Sequence, residues 1–142
     1  MAISLTNGTE IPDSAIISQC YANLSMNMQV TSGLFLSQYD KSIPIVSVRL
    51  LANNNEQYIP QTGDTITLRF GSPSGNGVKQ PCMGWDTSYN LYFEITEAMT
   101  SSYGYTSAVV EVTNSDGTKQ SSKIYATIVE NPVKIIKRDW GE

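Results

Sequence analysis

From residue 65 to residue 70 the chain reads TITLRF, with Ile66, Leu68 and Phe70 on one side of an extended backbone and Thr65, Thr67 and Arg69 on the other. A period of two marks a half-buried strand, with one face on a core and one in water. The alternation returns at Leu91, Phe93 and Ile95, which leaves Tyr92 and Glu94 pointing outward. It returns again at Ala108, Val110 and Val112, opposite Val109 and Glu111, and at Ile124, Ala126 and Ile128. Upstream, Leu24, Met26, Met28 and Val30 share a face. The β-branched run at 43–51 contains Pro44, which confines it to a strand start or an edge because proline cannot donate to the ladder. The pattern predicts one core made of Ile66, Leu68, Phe70, Leu91, Phe93, Ile95, Val110, Val112, Ile124 and Ile128.

Turn signals separate these runs. Asn114-Ser115-Asp116-Gly117 reads as a tight hairpin, since Asp-Gly readily supplies positive φ. The stretch GSPSGNGVKQP at 71–81 reads as a long loop. Residues 15–21 fit either a short strand or a helical turn, and 34–38 a further extended run. Thr96 as N-cap with Glu97 behind it predicts a single helical turn near 96–100. The expectation is an all-β fold, an antiparallel β-sandwich of about seven or eight strands with at most one short helical turn. Residues 1–39 are expected as an N-terminal lead-in and attachment segment, 40–132 as the sandwich and 133–142 as a C-terminal tail.

Composition narrows the chemistry. With 142 residues and 40 % hydrophobic content the chain has the length and apolar share of one globular domain. Only 15 % of residues are charged, and the net charge of −4 argues against nucleic acid, which requires clustered Lys and Arg. Histidine is absent, which removes the commonest general base, the Ser–His and Cys–His pairs and the commonest metal ligand. Cys20 and Cys82 cannot alone complete a four-ligand zinc site; two free buried thiols are expected of them, with one disulfide as the alternative. Glu94 and Glu97 read as surface carboxylates, and no D-x-D-x-D run offers a calcium site. No catalytic residue, cofactor or metal is expected, and the protein is not read as an enzyme. The N-terminal seventeen residues lack a basic and then apolar leader, and no run approaches the ~20 apolar residues of a membrane span.

The aromatics carry more information. Trp85, Tyr89, Tyr92, Phe93, Tyr103 and Tyr105 lie close together in sequence, and alternation assigns only Phe93 to the core. Exposed Tyr and Trp mark protein interfaces, stack on sugar rings, or cap the end of a sandwich. Trp85, Tyr89, Tyr92 and Tyr103 are therefore interface candidates, joined by Met26 and Met28, whose adaptable side chains suit a contact surface.

Two segments carry a family resemblance. DKSIPIVSVRLLANNNEQYIPQTGDTITLRF, with its Thr62-Gly63-Asp64-Thr65-Ile66 step, resembles the opening of the N-terminal domain of phage upper baseplate proteins. ITEAMTSSYGYTSAVVEVTNSDGTKQSSKIYATIV is similar to that family's helical turn, Gly-aromatic step, alternating strand, Asp-Gly hairpin and closing strand. The resemblance spans about residues 40–132. It implies an Ig-like β-sandwich in a tailed-phage virion, made in the host cytoplasm, that docks in symmetric copies on the baseplate or on the head, as a head-decoration protein or head-fibre anchor. The chain stops soon after the sandwich, so the expected role is attachment of the domain itself rather than carriage of a receptor-binding tip. The partners implied are other virion proteins of baseplate, tail or capsid and further copies of the chain, such as a trimer. The alternative is a carbohydrate-binding module that recognises a cell-surface glycan.

Overall fold

The computed structural model describes residues 2–24, 33–38, 44–52, 56–71 and 77–130. Met26, Met28 and the 133–142 tail lie outside them, as do most of the alternating residues at 24–30. Most of the described chain is strand. In order it forms β1 (Ala2–Ser4), β2 (Glu10–Pro12), β3 (Ile16–Asn23), β4 (Gly33–Ser37), β5 (Ile45–Ala52), β6 (Glu56–Gln57) and β7 (Thr65–Phe70). There follow β8 (Val78–Pro81), β9 (Gly84–Trp85), β10 (Asn90–Glu94), β11 (Gly104–Asn114), β12 (Gly117–Gln120) and β13 (Ile124–Val129). Two 3-10 turns, Asp13–Ala15 and Glu97–Met99, are the helical elements among the described residues. The second falls where Thr96 and Glu97 predicted it, and its Met99 is fully buried.

The strands make two packed sheets and a hairpin. A five-stranded sheet runs β3-β5-β10-β9, with β6 beside β5. A six-stranded sheet runs β4-β13-β11-β7-β8, with β12 beside β11. The hairpin β1-β2 lies against the first sheet. All ten residues expected in the core are buried in one cluster between the sheets. Alternation is a direct reading of the pleat, so a register set by Phe70, Phe93 and Val110 survives into the fold.

Thirteen strands and two 3-10 turns among the described residues stand where about seven or eight strands and at most one helical turn were expected, and four further expectations change. The sandwich is mixed, because β3 pairs parallel to β5 and β4 parallel to β13. The chain passes from one sheet to the other between β3 and β4 and back again before β5, so strands of the same sheet edge run in the same direction. The described parts of residues 1–39 are not a lead-in outside the sandwich: Cys20, Ala22, Leu34 and Leu36 belong to the main core. Those two strands were hard to read because β3 shows an exposed, wide face in IISQCYAN and β4 is only five residues long. Within the expected loop 71–81, residues Val78–Pro81 form β8, an edge strand where Pro81 does no harm to the ladder. Finally, Tyr92 points away from Phe93 as alternation requires, but it is not exposed. The β1-β2 hairpin covers that face, and Leu5, Ile11, Ile45 and Tyr92 form a second small core beneath it.

The two layers are fastened where the end of β3 meets the break between β12 and β13. Ser121, fully buried, sits at the break between β12 and β13; its Oγ accepts the Val110 N–H at 2.9 Å, and its own N–H donates to the Val110 carbonyl at 2.9 Å. Next to it, the Ser122 N–H donates to the Asn23 carbonyl at 2.7 Å and the Asn23 N–H donates to Ser122 Oγ at 3.1 Å, which joins β3 of one sheet to this break in the other. At the opposite side Gly84 has φ of 142°, and a Cβ there would stand 2.8 Å from Asn7 Nδ2. Asn7 uses that nitrogen to donate to the Met83 carbonyl at 2.9 Å, which ties the β1-β2 turn to β9.

Candidate interaction face

The outer face of the six-stranded sheet divides into two halves of different chemistry. On β4 the inward residues are Leu34 and Leu36, so Phe35 points out; on β13 Ile124, Ala126 and Ile128 point in, so Tyr125, Thr127 and Val129 point out. On β11 Tyr105 faces outward near the strand's start. Register places Phe35 opposite Thr127 and Thr127 opposite Tyr105, which makes one row across three strands. Neighbouring strands are about 4.8 Å apart, so the two rings of that row stand roughly 10 Å from each other with a threonine between them. Tyr125 lies one step along β13, opposite Gly33 on one side and Ser107 on the other, and so borders both rings diagonally. Glycine at position 33 leaves the flank of Tyr125 uncovered. The exposures are large for rings of this size: 71 % for Phe35, 84 % for Tyr105, 62 % for Tyr125 and 58 % for Tyr103 just before the strand. Val129, 54 % exposed, continues the apolar surface towards the end of β13.

The other half of the face is polar and internally paired. Arg69 Nη1 donates to Glu111 Oε2 at 3.2 Å, and Gln120 Nε2 donates to the same oxygen at 3.0 Å. The hydrogen bond from Gln120, together with the Arg69 guanidinium, holds the Glu111 carboxyl below the usual carboxylate range. A carboxylate satisfied in this way is a surface fixture of the β-ladder rather than an acid or base in waiting.

The remaining perturbed groups are also structural. Burial alone would raise the Asp86 carboxyl, but hydrogen bonds from the Tyr92 hydroxyl at 2.7 Å, from the Asn90 backbone and side chain and from the Ser88 N–H outweigh it and hold the group low. The Tyr92 hydroxyl is correspondingly pushed up to about 12, by burial first and by the bond to Asp86 second. Asp64 repeats the arrangement at the β6–β7 connection, where it accepts from Tyr58, from the Gln61 N–H and from Asn114. Both carboxylates are turn organisers. Cys20 is buried in the main core, and burial raises the Cys82 thiol. No group of three or more Cys, Asp or Glu able to hold a metal ion occurs among the described residues. Among the described residues no helix is long and apolar enough to cross a membrane.

The structure separates the sequence-derived candidates. Tyr103 is exposed beside the aromatic row. Trp85 is half-buried against the main core, and its carbonyl accepts the Thr6 N–H at 2.8 Å. Tyr89 is half-buried in the turn after β9, with φ of 65°. Tyr92 is buried under the β1-β2 hairpin. These four do not form one surface. Phe35, Tyr105 and Tyr125 were not among the candidates, although alternation carried the signal: Phe35 stands between two inward leucines and Tyr125 between Ile124 and Ala126. Reading the sequence for a cluster of aromatics favours neighbours along the chain, whereas a sheet face gathers residues from strands far apart in it.

No family model matches the sequence, and no curated protein does. Among solved structures, the N-terminal domain of phage TP901-1 ORF48 is similar with a TM-score of 0.60, over 78 % of this chain and 98 % of that one, at 8 % identity. The likeness extends beyond what 40–132 alone supplies, which fits the finding that β3 and β4 belong to the sandwich. The chain has the all-β sandwich fold of that phage domain.

Proposed function

We propose that the protein is a non-enzymatic structural component of a tailed-phage virion, a β-sandwich adaptor that docks on baseplate proteins through the aromatic half of its six-stranded sheet. The observation that carries this reading is the row of Phe35, Tyr105 and Tyr125, extended by Tyr103 and Val129, on a sheet face that is otherwise polar. Monomeric proteins seldom expose a contiguous apolar surface of this kind, and rimmed by polar residues it marks a protein contact. Rigid aromatic side chains bury large area at low entropic cost, which is why they dominate interface energetics. The fold shared with a phage domain supports placing the partner in the virion. Several copies around a symmetric particle gain attachment from avidity, since each need bury only a modest area.

The test is a Phe35→Ser, Tyr105→Ser double variant, assayed for incorporation into virions by mass spectrometry of purified particles. The variant is expected to fold, since both rings lie outside the core, and to be depleted from particles. Wild-type incorporation by the variant overturns the docking face. Binding of the wild-type protein to a glycan array, abolished by the same pair, would identify the row as a sugar platform instead.

A further inference from the structure

A second surface lies at the far side of the molecule, on the outer face of the five-stranded sheet. There the β1-β2 hairpin and the Asp13–Ala15 turn leave a cleft of about 410 Å³ where β5 begins and β10 ends. Its floor is apolar, made by Ile11, Ile45, Ala15 and Met83, and Glu10 and Glu94 stand on it. Neither carboxylate meets a cation among the described residues, in contrast to Glu111 with its Arg69. Asp13, on the adjoining turn, adds negative charge that is felt by Tyr92. An apolar floor between carboxylates that meet no cation among the described residues is complementary to a segment with apolar residues between cations.

The chain itself contains such a segment. Three of its nine basic residues fall in VKIIKR at 133–138, where Ile135 and Ile136 stand between Lys134 and the pair Lys137 and Arg138. We infer that the cleft takes this segment from a second copy of the chain, an inference that rests on the reading of the protein as a multi-copy virion component. A tail folded back into its own chain's cleft is the outcome in which the wild type sediments as a monomer. The contact is heterologous, one copy's tail in the next copy's cleft, and it forms a ring where the rotation closes.

Charge exchange in the full-length protein tests this, read by sedimentation velocity at low ionic strength. One variant carries Glu10→Lys and Glu94→Lys, the other Lys134→Glu, Lys137→Glu and Arg138→Glu. The wild type is expected to self-associate, each variant alone to sediment as a monomer, and an equimolar mixture to regain the associated species, because the basic cleft of one accepts the acidic tail of the other. Recovery on mixing also shows that both variants are folded. A monomeric wild type, variants that associate like the wild type, or a mixture that stays monomeric overturns the inference. Both charge variants keep Phe35 and Tyr105, so their failure leaves the aromatic docking face to be judged separately by virion incorporation.

Discussion

Phe93 is fully buried between the sheets, and its neighbour Tyr92 is buried on the opposite side under the hairpin, so one dipeptide serves two cores. Truncation of Phe93 to alanine removes transfer energy and leaves a cavity walled by both sheets; a loss of about 3–5 kcal/mol is expected in urea unfolding. Tyr92 acts through its hydroxyl as well as its ring. Its bond to Asp86 gives the pair two pH limbs of known sign. The Asp86 carboxyl is lower in the folded than in the unfolded state, so its contribution is present above the ordinary aspartate value and is lost as pH falls through the folded one. Asp64 and Glu111, also held low, add to the same acid limb. Tyr92 is raised to about 12, so its contribution is complete below the ordinary tyrosine value and is lost as pH rises through the folded one. Unfolding free energy measured against pH should therefore be flat across the neutral range, fall from about pH 4 downward, and fall from about pH 8.5 upward, where the raised Cys82 thiol precedes the tyrosines. Tyr92→Phe should shrink the alkaline limb and leave the shares of Tyr58, which is raised by burial and by its bond to Asp64, and of the Cys82 thiol, which is raised by burial. An alkaline limb of unchanged size in that variant would show that the Asp86 bond does not set it.

Elements whose partners are close in sequence were legible, and those whose partners are remote were not. The β11-β12 hairpin follows from Asp116-Gly117, and Gly117 takes the positive φ of 113° that the turn requires. Alternation gave the inward faces of β7, β11 and β13 because each has one face on the core, and that of β10 because Tyr92 and Glu94 on its second, covered face are not aliphatic. It failed for β5, where Ile45 to Val48 are all buried, since a strand covered on both sides loses its period. The cover on that second side is the β1-β2 hairpin, which sequence periodicity does not announce in three-residue strands. The candidate site suffered similarly, because Phe35 and Tyr105 become neighbours only through the parallel pairing of β4 with β13. The structure makes the hairpin and the sheet break into testable elements. Deleting residues 2–12 strips Leu5 and Ile11 from the second core, about 1.5–3 kcal/mol each, and bares Ile45 and Tyr92. The truncated protein is expected to melt lower and to aggregate on heating, as light scattering would report; a truncation that melts like the full chain would show the hairpin to be a passive cover. At the break between β12 and β13, Ser121→Ala leaves the buried Val110 N–H without its acceptor, and a loss of about 1–3 kcal/mol is expected.

The whole molecule presents two surfaces on opposite layers, one aromatic and uncharged, one apolar with an acidic rim, and ionic strength acts on them in opposite senses. The screening length contracts from about 10 Å at 0.1 M salt to about 3 Å at 1 M. A contact between Glu10, Glu94 and a neighbour's basic segment depends on exposed charges and weakens as salt rises. A contact through Phe35, Tyr105 and Tyr125 depends on removing apolar surface from water, and strongly hydrated anions such as sulfate strengthen it. The internal pair Arg69 and Glu111 joins two strands of one sheet, so its screening changes stability only slightly. Sodium chloride should therefore dissociate the self-assembled species while leaving attachment through the aromatic face intact, and ammonium sulfate should strengthen that attachment. Sedimentation of the purified protein follows the first effect, and retention on isolated virions through successive salt washes follows the second. If sodium chloride stripped the protein from particles at the same concentration that dissociated it in solution, one charged contact would serve both purposes, and the assignment of attachment to the aromatic face would fail.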